Sequence, residues 1–144
     1  MTDDVVEIGA LTNYSTVADD GALHEAIPAV TQAAQAIGDV QVRNCGTVGV
    51  NLAHADPASD LPAAALAADV TLHAEGRDGH RTISADDFFT SLYGTALEEG
   101  ELLTAVEVPT HDVGTYVKKP SPSSGYAMVG VAVVIEFEDD VVES

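Results

Sequence analysis

The 144-residue sequence predicts an α+β domain, with helices packed on one side of a mixed β-sheet and a short antiparallel stub after it. Three observations carry this. Short apolar segments of strand length recur at Val5–Ile8, Val70–Ala74, Arg81–Ile83 and Leu102–Val108. Helical spacing of small apolar residues marks Ala29–Ile37 and Ala63–Ala68. The Arg77-Asp78-Gly79 turn joins two of the strand segments directly, as a hairpin. A chain of this length buries one ordinary core.

Taken in order, Val5–Ile8 is a strand entering the Gly9 turn, and Asn13 or Ser15 caps a helix that runs through His24. Pro28 suits the first turn of the next helix, in which Val30, Ala33, Ala34 and Ile37 share a face, and Gly38 is its stop. Gln41–Asn44 leads into a Gly-Thr-Val-Gly loop at Gly46–Gly49. After Asp60 and Pro62 the Ala-rich run is a buried helix. Ser84 caps a further helix that carries Asp86 and Asp87 at its start, where the helix dipole favours acids, with Phe88 and Phe89 on its apolar side. Pro109 to Asp112 is the expected junction between a domain at 1–109 and an incomplete one at 110–144. In the latter, Thr115–Val117 and Tyr126–Phe137 are strands joined by the Pro/Ser-rich turn 120–125.

Five Lys and Arg stand against 24 Asp and Glu, a net charge of −19. Such a surface repels nucleic acid and anionic membranes. The acids are spread along a chain that is 46% apolar, which favours a folded, solvated surface over disorder. Few lysines and abundant Ala and Val suggest a cytoplasmic protein of a halophile. At molar salt the Debye length is about 3 Å, so self-repulsion is screened. The fold is expected to loosen at low salt, and identical circular dichroism in dilute buffer and concentrated KCl would contradict this. Cys45 is the only cysteine, which rules out an intrachain disulfide and a four-thiolate iron–sulfur cluster in this chain. No apolar run is long enough to span a bilayer as a helix.

The Arg43-Asn44-Cys45-Gly46-Thr47-Val48-Gly49-Val50-Asn51 stretch, with Pro57 and Asp60 after it, places backbone donors and a Thr hydroxyl near a fixed carboxylate. Glycines let N–H groups approach an anion, and an Asp accepts hydroxyl hydrogen bonds. This stretch resembles the second flavin-binding loop of the FAD subunits of molybdenum hydroxylases, the carbon monoxide dehydrogenase and xanthine dehydrogenase family. Ile8-Gly9-Ala10-Leu11-Thr12 and Glu101 to Pro109 extend the likeness, which spans residues 5 to 138.

The resemblance implies the second subdomain of a PCMH-type FAD-binding domain, followed by the opening strands of a C-terminal α+β domain. It further implies electron transfer from iron–sulfur clusters through FAD to an acceptor. The partners would be a molybdenum-cofactor large subunit and a [2Fe–2S] small subunit. The family's preceding subdomain carries another Gly-rich loop, so the chain is expected to be truncated at both ends. A separate N-terminal FAD-subdomain fragment would complete it. The alternative is a remnant that binds no FAD and acts as a structural or interaction module.

By the same resemblance, Gly46, Thr47, Val48, Gly49, Val50 and Asn51 form the cofactor loop. The local reading of the loop is a tight turn using Gly for positive φ. Asp60 either accepts FAD hydroxyls or simply caps the Ala63 helix. Ile37 packs near the flavin or in the core, and Leu103 offers backbone to the ring or is core. Tyr126 stacks on the ring or is an ordinary strand aromatic. Lys118, beside Lys119, either brings positive charge to the cofactor or is a solvated strand end. Val50 stands where the family has Gly. If Val50 is forced to positive φ, Val50→Gly should tighten FAD binding.

His54, Asp56 and Asp60 make an unspecific metal pattern, and no metal is expected. The remaining histidines read as scattered and exposed, Arg43-Asn44 as anchors of the Gly loop, and Cys45 as a small buried packing residue.

Overall fold

In the computed structural model, residues 5–138 and 141–142 are described. The elements follow in chain order as β1 (Val5–Gly9), α1 (Tyr14–Asp19), α2 (Gly21–Ala26), α3 (Pro28–Ala36), α4 (Val40–Cys45), α5 (Val48–His54) and α6 (Leu61–Ala67). After them come β2 (Thr71–Gly76), β3 (Gly79–Ser84), α7 (Ala85–Phe88), β4 (Phe89–Ser91), β5 (Gly94–Thr95) and β6 (Leu102–Pro109). The chain ends in β7 (Val113–Pro120), β8 (Ala127–Ile135), β9 (Phe137–Glu138) and β10 (Val141–Val142).

Period-2 alternation decides which face of each strand is buried. Val6 and Ile8 of β1 lie opposite Val108 and Val106 of β6, and Leu72 of β2 lies between Val106 and Ile83. All of these are buried, while Glu7, Glu107 and Thr82 fall on the other face. The sheet order is β1-β6-β2-β3. The α+β class holds. The sheet is antiparallel at every described ladder, where the sequence reading had a mixed one, because β6 inserts between β1 and β2 and runs opposite to both, while β2 and β3 form a hairpin. Arg81 closes the far end by a two-pronged contact to Glu101, 2.8 Å on each arm, and holds that carboxyl down to about 2.

Helix α3 is the centre of the helical layer. Its Ala29, Ala33 and Ala34 are fully buried, and their small side chains let the β7–β8 hairpin lie close against it. Gln32 fixes that contact by accepting from Thr115 Oγ1 and the Tyr116 N–H, both at 3.0 Å. Phe88, fully buried, meets Phe89 edge-on at 5.1 Å and fills the space beneath α7. Ser84 caps α7 as expected, accepting from the Asp87 N–H.

Several local expectations need correction. The helix expected to reach His24 breaks at Asp20, whose carboxylate accepts from the N–H groups of Ala22 and Leu23 and so starts α2. The lead-in at Gln41–Asn44 is helical, because Asp39 caps α4 through the Val42 N–H. The β4–β5 hairpin was not anticipated. Cys45 is exposed, not buried. His111 is buried, its Nδ1 beside the Pro109 carbonyl at 3.2 Å, and burial lowers its pKa. His73 and His80 are not scattered: their Nδ1 and Nε2 stand 3.1 Å apart on the sheet's polar face. No helix among the described residues is long and apolar enough to cross a membrane.

Candidate functional site

The Gly46–Gly49 loop is sewn to the turn after β1. Tyr14 N–H donates to the Gly46 carbonyl, Val48 N–H to Thr12 and Gly49 N–H to Ala10, at 3.1, 3.0 and 2.8 Å. Asn13 and Thr47 form a β-bridge. Neither Gly46 nor Gly49 has positive φ, so the turn reading that rested on left-handed glycine is corrected. Close approach demands them instead. A Cβ on Gly46 would overlap the Tyr14 ring, and one on Gly49 would overlap Ala10.

Val50 lies inside α5, exposed, with φ outside the positive range. No backbone strain therefore attaches to it, and Val50→Gly is not expected to tighten FAD binding in a flavin titration. Thr47 occupies the N-cap position of α5 without capping it. Its Oγ1 is buried and unpartnered.

A recess of about 260 Å³ opens between α4, α5, the loop before α6 and the β7–β8 turn. Ile37, Val50, Asn51, Asp60, Lys118 and Tyr126 all line it. Apolar wall comes from Ile37, Val42 and Val50, aromatic surface from Tyr14 and Tyr126. Asn51 is a fixed bridge: its Nδ2 donates to the Tyr14 hydroxyl at 2.9 Å and its Oδ1 accepts from Ser59 at 2.8 Å. Burial raises the Tyr14 pKa, so the phenol stays neutral. Arg43 secures the rim next to Ile37, donating to the carbonyls of Ile37 and Gly38 at 2.9 and 3.0 Å. It thus anchors the helix-end segment and not the Gly loop, while the Asn44 carbonyl accepts from Asn13.

At the floor sits a buried ion pair. Lys118 Nζ donates to Asp60 Oδ2 at 2.8 Å and to the Ala36 carbonyl at 2.9 Å, with side chains 8% and 5% exposed. The Tyr116 hydroxyl donates to Asp60 Oδ1 at 2.6 Å. Asp60 does not cap α6, which corrects the capping alternative, and Lys118 is not a solvated strand end. Its charge is matched within the fold by Asp60.

A second recess of about 420 Å³ lies on the other side of Val50. Gly49, Leu103 and Ala10 line it. Gly46, Thr47 and Val48 line neither recess, and Val48 points into the core.

Tyr14 and Tyr116 were not singled out as site residues by sequence reasoning, nor was Tyr93, which joins His54 and Asp56, weighed there only as metal ligands, at the rim. There the Tyr93 ring lies 5.4 Å from His54 and its hydroxyl 3.4 Å from Asp56 Oδ1. Tyr116 and Lys118, two apart in one strand, share a face; that spacing was the available signal. Among the described residues no three His, Cys, Asp or Glu side chains converge on one point.

These walls fit a flavin. A planar heterocycle wants apolar and aromatic surface, and a polyol chain wants a fixed carboxylate and amide. All are present around one recess, and the buried, unpartnered Thr47 hydroxyl marks the adjoining loop.

Comparison with known proteins agrees. The family model described as "FAD binding domain in molybdopterin dehydrogenase" matches residues 1–111. The chain is 38% identical over 140 residues to the glyceraldehyde dehydrogenase medium chain of Sulfolobus acidocaldarius, covering 96% of this chain and 50% of that one. It is 36% identical over 140 residues to the carbon monoxide dehydrogenase medium chain of Hydrogenophaga pseudoflava, covering 95% and 49%. The solved structure of the Hydrogenophaga pseudoflava enzyme lacking the Mo-pyranopterin moiety superposes with a TM-score of 0.92 at 34% identity, covering 100% of this chain and 51% of that one. The chain thus spans about half the length of the curated relatives it matches. A family model that matches residues 1–111 and a fold that superposes with a TM-score of 0.92 place the chain in the family of FAD-binding domains of molybdopterin dehydrogenases.

Proposed function

We propose that this chain is the FAD-binding part of a molybdenum-containing hydroxylase. In this reading it receives electrons from [2Fe–2S] clusters on a small subunit, which the molybdenum-cofactor large subunit supplies, and passes them through FAD to an acceptor. Family membership and relatives named as medium chains support it. The observation that carries it within the chain itself is the recess joining the Asp60–Lys118 pair, the bridged Asn51 and the Tyr126 ring. When bound, a flavin accepts electrons singly and releases them in pairs.

The chain's own residues bind and orient. Asp60 and Asn51 meet hydroxyl and amide groups of the ligand, and Tyr126 offers a ring face. Ile37, Val50 and Leu103 exclude water along the isoalloxazine. In the loop formed by Gly46, Thr47, Val48 and Gly49, Thr47 is the residue left to meet the phosphate end, through its unpartnered hydroxyl, since the N–H groups of Gly46, Val48 and Gly49 already donate to Val42, Thr12 and Ala10. Lys118 keeps its cation beside the ligand but screened by Asp60. Residues 1–109 form the second FAD subdomain and 110–144 open the flavoprotein's C-terminal domain; the family match ending at 111 supports this division. The protein works in the cytoplasm of a halophile, a reading that rests on the net charge of −19.

A second reading, a structural module without flavin, has one observation in its favour. The Val48 and Gly49 N–H groups already donate to Thr12 and Ala10. An FAD titration of the chain in molar KCl, followed by flavin fluorescence polarisation, separates the two. Saturable binding near the micromolar range is expected, and absence of binding at high protein concentration would leave the structural module.

A further inference from the structure

Asp60 directly precedes α6, where an Asp ordinarily accepts from the helix's free N–H groups. It takes none of them. Both its oxygens are held from β7, by donors 56 and 58 residues along the chain. Tyr116 and Lys118 reach it together because residues two apart on a strand share a face. A carboxylate has about four acceptor positions. Two are used inside the fold, and Asp60 also lines the recess.

We propose that Tyr116 is a positioning residue for the ligand site. Its hydroxyl turns Asp60 away from α6 and fixes the carboxylate so that its remaining lone pairs accept a hydroxyl of the flavin's polyol chain. Gly130 is the opening that admits the phenol oxygen. This rests on the reading of the recess as a flavin site.

Geometry supports each part. The Tyr116 ring is 7% exposed, and its backbone N–H is pinned by Gln32, so the hydroxyl has one place to go. Gly130 pairs with Lys118 across the hairpin, and a Cβ there would overlap the Tyr116 hydroxyl and stand 3.0 Å from Cζ. Its φ is not positive, so space alone requires glycine. Burial, and then the Asp60 contact, raise the Tyr116 pKa, so the phenol remains a donor at neutral pH. Lys118 supplies the charge and Tyr116 a neutral second donor, which leaves the carboxylate no free rotation.

The test titrates the whole chain in molar KCl with two probes. Riboflavin carries the polyol; lumiflavin has the same ring with a methyl group in its place. Tyr116→Phe should weaken riboflavin about tenfold, the order expected for a hydrogen bond to a charged group, and leave lumiflavin within about twofold. Gly130→Ala, which displaces the phenol oxygen without removing it, should show the same selectivity. Equal losses for both probes, or no loss for riboflavin, overturn the proposal. Equal wild-type affinity for the two probes also overturns it while leaving the flavin reading intact.

If the wild type binds neither probe, the flavin reading falls. A crystal structure of Tyr116→Phe then decides the positioning itself. A carboxylate swung onto the first N–H groups of α6 supports it; an unmoved Asp60 overturns it.

Discussion

Lys118→Met is expected to destabilise the fold by about 3–5 kcal/mol, because it leaves the Asp60 carboxylate buried without a counter-charge. The pair is drier than most: the side chains are 8% and 5% exposed, and the Tyr116 hydroxyl closes the remaining approach from the hairpin side. Neutral Tyr116 cannot replace the lost cation. The Ala36 carbonyl at the end of α3 loses its donor as well. Denaturant unfolding in molar KCl measures the difference, and the melting temperature should fall by roughly 10 °C or more.

Asp60→Leu combined with Lys118→Met is expected to recover part of that loss, the Tyr116 hydroxyl and the Ala36 carbonyl being left without their partners. Replacing both members of a buried pair by apolar groups is often neutral, whereas removing one is not. The comparison separates two roles. A stable double variant that no longer binds flavin would show that the pair is kept for the ligand. A single variant costing under about 1 kcal/mol would show that water reaches Asp60 through the recess, as at an exposed ion pair.

The parts of the fold legible in the sequence were those written in local patterns. Leu102–Val108 is a mostly apolar segment of strand length, and the structure makes it a strand that buries Val106 and Val108. Pro28 opens α3 because its missing N–H is spare in a first turn. Ser84 caps α7 through the Asp87 N–H. What stayed hidden depends on distant neighbours. Asp20 and Asp39 each cap a short helix, but acidic residues are so common in this chain that two caps among 24 acids do not stand out. The partners of Asp60 lie 56 and 58 residues away, so its spacing from the next helix pointed to a cap while tertiary contacts took the carboxylate elsewhere.

The same limit applies to the site. Ile37, Asn51, Asp60, Lys118 and Tyr126, assembled from resemblance alone, do line one recess. Nothing in the sequence said that Asn51 would be clamped between Tyr14 and Ser59.

Gly49→Val tests whether the loop's glycine serves the fold or the ligand. The Gly49 N–H lies 2.8 Å from the Ala10 carbonyl, and a Cβ at 49 would also stand 2.9 Å from Ala10 Cα and carbonyl oxygen, which are backbone and cannot rotate aside. Either α5 lifts off β1 or the Thr12–Val48 and Ala10–Gly49 bonds break. Overpacking of this kind costs about 1–3 kcal/mol and occasionally more; contact with fixed backbone places Gly49→Val near about 3 kcal/mol. Flavin affinity should fall with it, since α5 carries Val50 and Asn51 into the recess.

Gly21→Ala is the control. It sits at the start of α2 with nothing within 4 Å of the added Cβ and should be neutral or stabilising. Unfolding curves and flavin titrations of both variants, in the same molar KCl, give the comparison. A Gly49→Val chain that kept its stability but lost flavin would put the ligand itself against residue 49. Loss of both, with Gly21→Ala unaffected, means that this glycine first holds two strands of backbone together, and that the cofactor loop keeps its shape because β1 does.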